Sequence, residues 1–183
     1  MSIKQSKLVL LLMLGLACSA LAQQQKGDVE LQFQGSFFTT VGGDVTNSVG
    51  TILGKIGPFI TDNIQVGIGP SLTIATTTTT TVDPGTGRLI KNTATKATFG
   101  TTAFVVYSFL LRNSRAVPYV GASYYKRDFS DAHDRGWIGG NGGAKYFFTK
   151  RTAADFSANY LFSLNPETKG GMILFAVGLS FLL

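Results

Sequence analysis

The stretch GGAKYFFTKRTAADFSANY, from Gly142 to Tyr160, decides the fold class of this chain. Residues 154–160 alternate between apolar and polar side chains, and the even-numbered positions of residues 138–148 are all apolar, aromatic or glycine. A period of two residues places successive side chains on opposite faces of a β-strand. Residues 149–151, threonine, lysine and arginine, interrupt the pattern. The stretch therefore predicts two antiparallel strands joined by a tight turn.

The same period continues through most of the chain and predicts an all-β protein. The predicted strands are residues 28–39, 49–60, 64–81, 89–110, 117–127, 136–148, 152–163 and 171–183. Their connections alternate between short ones, at 61–63, 112–116 and 149–151, and longer polar ones, at 40–48, 82–88, 128–135 and 165–170. Eight strands of this length, connected in this way, predict an antiparallel, up-and-down transmembrane β-barrel of the outer-membrane kind.

Charge is confined to one face of the predicted strands. A lysine or arginine at the middle of a lipid-facing strand costs about 2–4 kcal/mol, which accounts for a charge-free outer face. Because only 14% of the residues are charged, a soluble barrel with its charges outside is disfavoured. The polar residues predicted to face the lumen are Glu30, Lys55, Lys145, Asp155 and Asn159, together with Gln32, Gln34, Gln65 and Asn141.

Two of these lumen residues are predicted to form a structural ion pair. If the turn between the sixth and seventh strands is centred on Lys150, Lys145 and Asp155 lie opposite each other. Opposite charges across a strand pair attract, and the attraction is stronger inside a small barrel. The alternative is two charges near the rim, each hydrated by itself.

Aromatic residues are predicted to form belts at the two membrane interfaces. Near the short turns these are Phe59, Tyr107, Phe109, Tyr119, Tyr146, Phe148 and Phe181. Near the long loops they are Phe37, Phe38, Tyr124, Tyr125, Trp137, Tyr160 and Phe162. The alternative is that aromatic residues are simply favoured in strands. The fourth strand is ambiguous, since Phe104 and Val106 oppose its better apolar face.

The first 22 residues have the pattern of a cleaved secretory signal. Lys4 and Lys7 precede the short apolar run 8–16, and small residues follow at 20 and 22. The run is too short to span a bilayer as a helix. Cys18 could be lipidated, but Gly15 stands where such a site usually has leucine. We therefore expect a signal peptide at residues 1–22 and a barrel at residues 23–183.

Six consecutive threonines, residues 76–81, suggest a flexible linker by composition alone. Threonine is β-branched and fits an extended strand. The following residues, Asp83-Pro84-Gly85, have turn chemistry, and alternation continues on both sides. Residues 75–96 are therefore predicted to form a hairpin that projects beyond the outer surface, and a linker is disfavoured.

The search for catalytic or cofactor chemistry is mostly negative. His133, the only histidine, follows Ser130 at a spacing common by chance. Asp128, Asp131 and Asp134 have oxygen ligands for a divalent cation but match no loop motif. Two glycine-rich stretches, at 50–55 and 139–143, fail the phosphate-loop and dinucleotide patterns. Scattered basic residues give no nucleic-acid footprint. We expect no catalytic residues, no bound metal and no cofactor.

Several segments together resemble the small eight-stranded outer-membrane barrels of the OmpA/OmpX/OmpW type. They are PFITDNIQVGIG (58–69), PYVGASYY (118–125), GGAKYFFTKRTAADFSANY (142–160) and ILFAVGLSFLL (173–183). Such barrels commonly end in an aromatic residue recognised by the assembly machinery. Here the last residue is Leu183, with Phe181 two positions before it.

The resemblance implies an integral protein of the outer membrane of a Gram-negative-type bacterium, with a structural or surface-interaction role. Its expected partners are outer-membrane lipids, the assembly machinery and an extracellular ligand of the loops, with no nucleic acid; a monomer is expected. Two alternatives remain at this point. One is a barrel enzyme acting on outer-membrane lipids through His133 and Ser130. The other is a narrow pore, although eight strands leave an interior only wide enough for side chains.

Overall fold

The computed structural model describes residues 24–112, 114–165 and 170–183. Eight strands form one closed antiparallel barrel in sequence order, which confirms the predicted fold. They are β1 (Val29–Gly42), β2 (Val45–Pro58), β3 (Ile64–Val82), β4 (Leu89–Ser108), β5 (Ala116–Lys126), β6 (Trp137–Phe147), β7 (Thr152–Ser163) and β8 (Gly171–Leu182). The predicted signal peptide, residues 1–22, lies outside the described residues.

The barrel closes because β1 pairs with both β2 and β8. The β1–β2 ladder runs from Val29 opposite Pro58 to Gly42 opposite Val45. The β1–β8 ladder is much shorter, from Glu30 opposite Leu182 to Gly35 opposite Val177. Where these ladders run, closure leaves no free edge, so the strands cannot pair with another chain there.

The outer surface is apolar and the interior is polar, as the alternation predicts. Exposed side chains include Phe33, Ile52, Ile68, Phe99, Val120, Ile138, Phe156 and Phe175. The buried polar residues include Glu30, Gln32, Lys55, Gln65, Asn141, Lys145 and Asp155. This arrangement is inverted relative to a soluble barrel. In the fourth strand the ambiguity is resolved, because Phe104 and Val106 are buried while Val105 and Tyr107 are exposed.

The predicted aromatic belts are wrong for four residues. Phe59, Tyr119, Tyr125 and Trp137 are all at most 9% exposed and lie inside the barrel. They occupy the inward parity of their strands, so their rings fill the lumen instead of meeting an interface. Strand propensity and proximity to a strand end do not show whether such a ring faces the lumen or a membrane interface, whereas the strand register does.

The four N-terminal strands continue beyond the closed barrel as a projecting sheet. Pairing between β4 and β5 begins only at Thr101 opposite Lys126, so residues 89–100 of β4 form a ladder with β3 alone, apart from one hydrogen bond from the Phe129 amide to the Phe99 carbonyl. Those twelve residues extend roughly 40 Å along the strand, at about 3.3 Å each. The predicted long loop at 40–48 is wrong, because β1 and β2 run on to a two-residue turn at Gly43 and Asp44. Gly43 has a φ of 56°, a conformation that glycine adopts readily.

The threonine run is part of this projecting sheet, as predicted. Threonine hydroxyls of β3 and β4 pair across the ladder, Thr76 with Thr95 and Thr78 with Thr93, each at 3.2 Å between oxygens. The hairpin turns at Asp83, whose carboxylate accepts hydrogen bonds from the Gly85 amide at 2.9 Å and the Thr86 hydroxyl at 2.5 Å. The tract is therefore a paired strand and not a linker.

Among the residues that the structure describes, no helix has both the length and the apolar character needed to cross a membrane.

Candidate functional site: the lumen and the vestibule above it

The short-turn end of the lumen is closed by an apolar plug. Its members are Phe59, Val117, Phe147, Ala153 and Leu182, all buried. They lie at or just beyond the ends of β2, β5, β6, β7 and β8. A packed apolar layer of this kind excludes water from the space that it fills.

Above the plug, Lys145 forms a buried ion pair with Glu30. The Lys145 ammonium donates to Glu30 Oε2 at 2.5 Å, and both side chains are at most 3% exposed. The ammonium also lies over the rings of Phe59, at 5.8 Å, and Tyr119, at 5.5 Å, from their centroids. Glu30 is on β1 and Lys145 on β6, strands that do not pair with each other, so the contact crosses the lumen.

The predicted ion pair of Lys145 with Asp155 is therefore corrected in one respect. The two residues do lie opposite each other in the β6–β7 register, deep in the lumen. The salt bridge of Lys145, however, goes to Glu30. Opposite Cα positions fix which residues are neighbours, but long side chains can reach past a neighbour to a better partner.

Asp155 instead accepts hydrogen bonds from three neutral donors. They are Gln32 Nε2 at 2.6 Å, Gln34 Nε2 at 3.1 Å and the Tyr119 hydroxyl at 2.8 Å. The donors come from β1 and β5, and the acceptor from β7, so one buried carboxylate links three strands. Hydrogen bonds to a charged group are stronger than neutral ones, and a buried carboxylate requires them.

Lys55 and Asn159, the other predicted lumen residues, border a small internal cavity of about 60 Å³. Lys55 is 7% exposed, and its ammonium lies 5.4 Å from the centroid of the Phe104 ring. Asn159 donates to the Leu174 carbonyl at 3.5 Å.

A second apolar layer lies over this cavity. Tyr125, Trp137 and Leu161 form a buried cluster, and Met172 and Leu174 pack against it. The Tyr125 hydroxyl shares a 3.0 Å hydrogen bond with Thr73 Oγ1 of β3, which lies on the other side of β4. We call Tyr125, Trp137 and Leu161 the lid. Apolar clusters thus lie on both sides of the buried polar residues of the lumen.

Beyond the lid, a vestibule of about 670 Å³ opens at the long-loop end. One wall is the inner face of the projecting sheet, and the other is the connection between β5 and β6. The lining residues are Val49, Thr73, Ala75, Lys96, Thr98, Arg127, Asp128, Asp131, Ala132, His133, Asp134, Arg135 and Asn165. Its volume falls within the range of about 300–1,000 Å³ that is usual for small-molecule sites.

The three aspartates of the vestibule organise the β5–β6 loop. Asp128 accepts hydrogen bonds from the Ser130 hydroxyl, at 2.6 Å, and the Ser130 amide, at 3.0 Å. The Ser130 hydrogen bonds hold the pKa of Asp128 below its usual range. Asp134 accepts from the amides of Asp128 and Gly136. Asp131 accepts from the His133 amide.

Neither His133 nor Ser130 has the geometry of a catalytic pair. The Ser130 hydroxyl donates to Asp128, and the His133 ring lies 3.6 Å from Asp131 with its side chain 99% exposed. A general base must reach the hydroxyl proton that it removes. Within the described ranges, no group of three or more histidine, cysteine or acidic side chains is arranged to hold a metal ion.

Residues 8–181 match the family described as "Outer membrane protein beta-barrel domain". The chain belongs to this family. The match spans nearly all of the 183 residues, including every strand of the barrel. A comparison with curated protein sequences found no match.

Two solved structures show the same fold as this outer-membrane barrel. The N-terminal β-barrel domain of Pseudomonas aeruginosa OprF has a TM-score of 0.51 and 20% identity, covering 88% of this chain and 100% of that one. A designed transmembrane β-barrel also has a TM-score of 0.51, with 11% identity, covering 88% of this chain and 99% of that one. At these identities the likeness extends to the fold alone.

Sequence reasoning missed the contacts that connect distant strands. Glu30 was placed in the lumen without a partner, and the donors to Asp155 were not anticipated. The alternation gave no signal for the vestibule cations Arg127 and Arg135, because both lie beyond the ends of β5 and β6.

Proposed function

We propose that this outer-membrane barrel is a non-catalytic surface-interaction protein, in which a closed barrel displays a projecting sheet and a vestibule outside the cell. The observation that carries the proposal is the projecting sheet, whose residues 36–42 and 89–98 extend beyond the closed barrel beside a vestibule of about 670 Å³. Apolar side chains that pack inside the barrel on both sides of the polar cluster support a display role over a pore.

The proposed orientation places the short turns in the periplasm and the projecting sheet outside. Short periplasmic turns and longer external loops are the general arrangement of such barrels. Export through a signal peptide cleaved after residue 22, in a Gram-negative-type bacterium, is part of the same proposal. So are insertion by the outer-membrane assembly machinery, contact of the apolar surface with outer-membrane lipids, and a monomeric state.

Surface labelling of intact cells tests the orientation. Single cysteines are introduced at Gly85, in the hairpin turn, and at Asp62, in a short turn, and are treated with a membrane-impermeant thiol reagent. We expect labelling at position 85 alone, because position 62 would face the periplasm. Labelling at 62 without labelling at 85 would reverse the proposed display.

Planar-bilayer recording and lipid analysis test the two other functions. The parent protein is expected to give no steady conductance, since both apolar layers would have to open together. Lipids extracted from membranes with and without the protein should have the same mass spectrum. A steady ion current, or a lipid modification that the His133→Ala variant loses, would overturn the non-catalytic, non-pore proposal.

A further inference from the structure

The seam between β1 and β8 is paired over only part of its length. Its ladder ends at Gly35 opposite Val177, although both strands continue beyond that point, as residues 36–42 of β1 and residues 171–176 of β8. Residues 36–42 keep their ladder with β2, and residues 171–176 keep theirs with β7. β1 therefore leaves the barrel wall with the projecting sheet while β8 stays in the wall, and the seam between them has no ladder there.

The unpaired seam lies in the lipid-facing part of the wall. Exposed apolar side chains flank it, Phe37 on β1 and Ile173 and Phe175 on β8. Residues 171–176 are the half of β8 nearer the long loops. Unpaired backbone groups at membrane depth are tolerated only where they are buried in protein or line a polar, water-filled space. The seam therefore needs such a space beside it.

The lumen cavity of about 60 Å³ supplies that space, because it reaches both sides of the seam. Its lining includes Gly35 and Ser36 of β1 and Leu174 and Ala176 of β8. On the outer face, Gly35 and Ser36 also border a groove of about 340 Å³. A Cβ at Gly35 would have no heavy atom within 4 Å, so no side chain fills the outer side of the seam at this point. The lipid-facing groove and the lumen cavity are thus separated by little more than backbone.

Lys55 is the only charged residue that lines this cavity. Its side chain is buried, and within the described part of the chain its ammonium has no hydrogen-bond acceptor and no salt-bridge partner. The buried carboxylates of the lumen are engaged elsewhere, Glu30 by Lys145 and Asp155 by neutral donors. A buried charge without a partner is costly, and an anion in the cavity would supply that partner. The cavity wall therefore favours an anionic group.

The size of the cavity limits what can carry this anion. About 60 Å³ is far below the roughly 300–1,000 Å³ of sites that enclose a whole small molecule, so only a compact head group fits inside. We propose that the carboxylate of a fatty acid enters laterally from the lipid through the seam and pairs with Lys55, with its alkyl chain between β1 and β8. Leu174 lines the cavity and Phe175 faces the lipid, so the chain meets apolar side chains along this route. This site lies on the lumen side of the lid and goes beyond the proposed surface-interaction function.

The first test titrates the folded protein in detergent micelles with palmitate and with methyl palmitate, and follows binding by carboxyl-carbon NMR. Palmitate should bind at least ~10-fold more tightly than its ester, because only the acid forms charge-assisted hydrogen bonds with an ammonium. A protein that binds the ester as tightly as the acid would contradict an anionic site.

The matched variants are Lys55→Met and Lys96→Met. Lys55→Met should lower the palmitate affinity ~10-fold or more and leave the ester affinity unchanged. It should still fold, because exchanging a buried charge for an apolar side chain of similar volume is often neutral. Lys96→Met removes a cation from the vestibule and should bind palmitate as the parent does. Equal palmitate affinity of the parent and Lys55→Met would overturn the site.

The second test locates the alkyl chain. A stearate that carries a nitroxide near its carboxyl group broadens the NMR signals of nearby amide protons, and its methyl ester gives the background from the micelle. The acid should broaden residues 36–41 and 171–176 more than the ester does. Ala176→Phe places a ring on the cavity side of the seam and should abolish this difference, whereas Val177→Phe, on the exposed face, should leave it. Excess broadening at residues 128–134 of the vestibule instead would overturn lateral entry.

The proposed display function is tested separately, by surface labelling and by conductance. A protein that is labelled as expected and does not conduct, yet binds palmitate no better than its ester, would lose only the fatty-acid site.

Discussion

Single buried side chains connect strands that do not pair with each other. Glu30 and Lys145 form an ion pair across the lumen, and Asp155 accepts hydrogen bonds from residues of two other strands. Removing one member of a buried ion pair costs more than removing both, because the remaining charge has no partner. These residues therefore offer the sharpest tests of how the interior is held together.

Changing Glu30 to glutamine should destabilise the barrel by about 3–5 kcal/mol, since it leaves the Lys145 ammonium buried beside a neutral amide. The double change Glu30→Leu with Lys145→Met should cost less, because neither charge of this ion pair remains. The measurement is urea unfolding in lipid vesicles. The expectation fails if the single variant is as stable as the parent.

Asp128 titrates in a loop outside the barrel, and its pKa is held down mainly by the Ser130 hydroxyl. A lowered folded-state pKa means that the carboxylate supports the loop at neutral pH. This support disappears only as the pH falls through that pKa, below the ordinary value of about 3.9. In the Ser130→Ala variant, the Asp128 pKa should rise toward the ordinary value. Carboxyl-carbon NMR titration in detergent checks this, and an unchanged pKa would contradict the assigned cause.

At the scale of elements, the projecting sheet and the barrel are separable. Residues 36–42 and 89–98 each pair on one side only, and the described lumen clusters include none of them. The sheet is held by its ladder and by threonine hydroxyl pairs, each of which contributes roughly 0.2–1 kcal/mol. Its removal should therefore leave the closed barrel intact.

Replacing residues 79–92 with an Asn-Gly turn would join Thr78 to Thr93, which already face each other. We expect the free energy of unfolding in detergent to change by less than about 1 kcal/mol, as for other changes away from the core. Gly143→Ala is the contrasting variant, because its Cβ would overlap the Phe156 carbonyl and lie 2.7 Å from the Tyr119 hydroxyl. Loss of folding in the hairpin variant would show that the projecting sheet supports the barrel.

At the scale of the whole molecule, the outer face of the barrel is apolar, and Glu30, Lys55, Lys145 and Asp155 are buried in its lumen. Phe37, Ile68, Phe99, Phe175 and many others are exposed all around the barrel. An apolar surface of this extent must be covered by lipid or detergent, because contiguous patches on soluble proteins are much smaller. Because this surface needs a cover, folding of the protein should depend on the presence of detergent or lipid.

The purified chain should therefore stay unfolded in urea and fold only when detergent or lipid is added. Folded and heat-denatured samples should migrate differently on a gel, and the folded form should resist proteolysis within the barrel. Detergent-free refolding at the same protein concentration is the control. A folded monomer in plain buffer would contradict the assignment of the exposed face to lipid.

The sequence alone determined the strands, most of the turns and, for most strand residues, the face of the barrel on which the side chain lies. These follow from the two-residue period, which is a local property of the chain. It placed Lys145 opposite Asp155, and it identified the threonine run as a strand. The predicted long loop at 40–48 is wrong, since the polar residues there can form either a loop or exposed strand ends.

Only the tertiary structure decided which side chains meet inside. Lys145 pairs with Glu30, and Asp155 with Gln32, Gln34 and Tyr119, because closing the barrel brings β1 within reach of β5, β6 and β7. The same closure placed Tyr119, Tyr125 and Trp137 inside the lumen. Side-chain reach across a lumen depends on strand stagger and on the barrel's width, and neither is encoded in the spacing of residues along one strand.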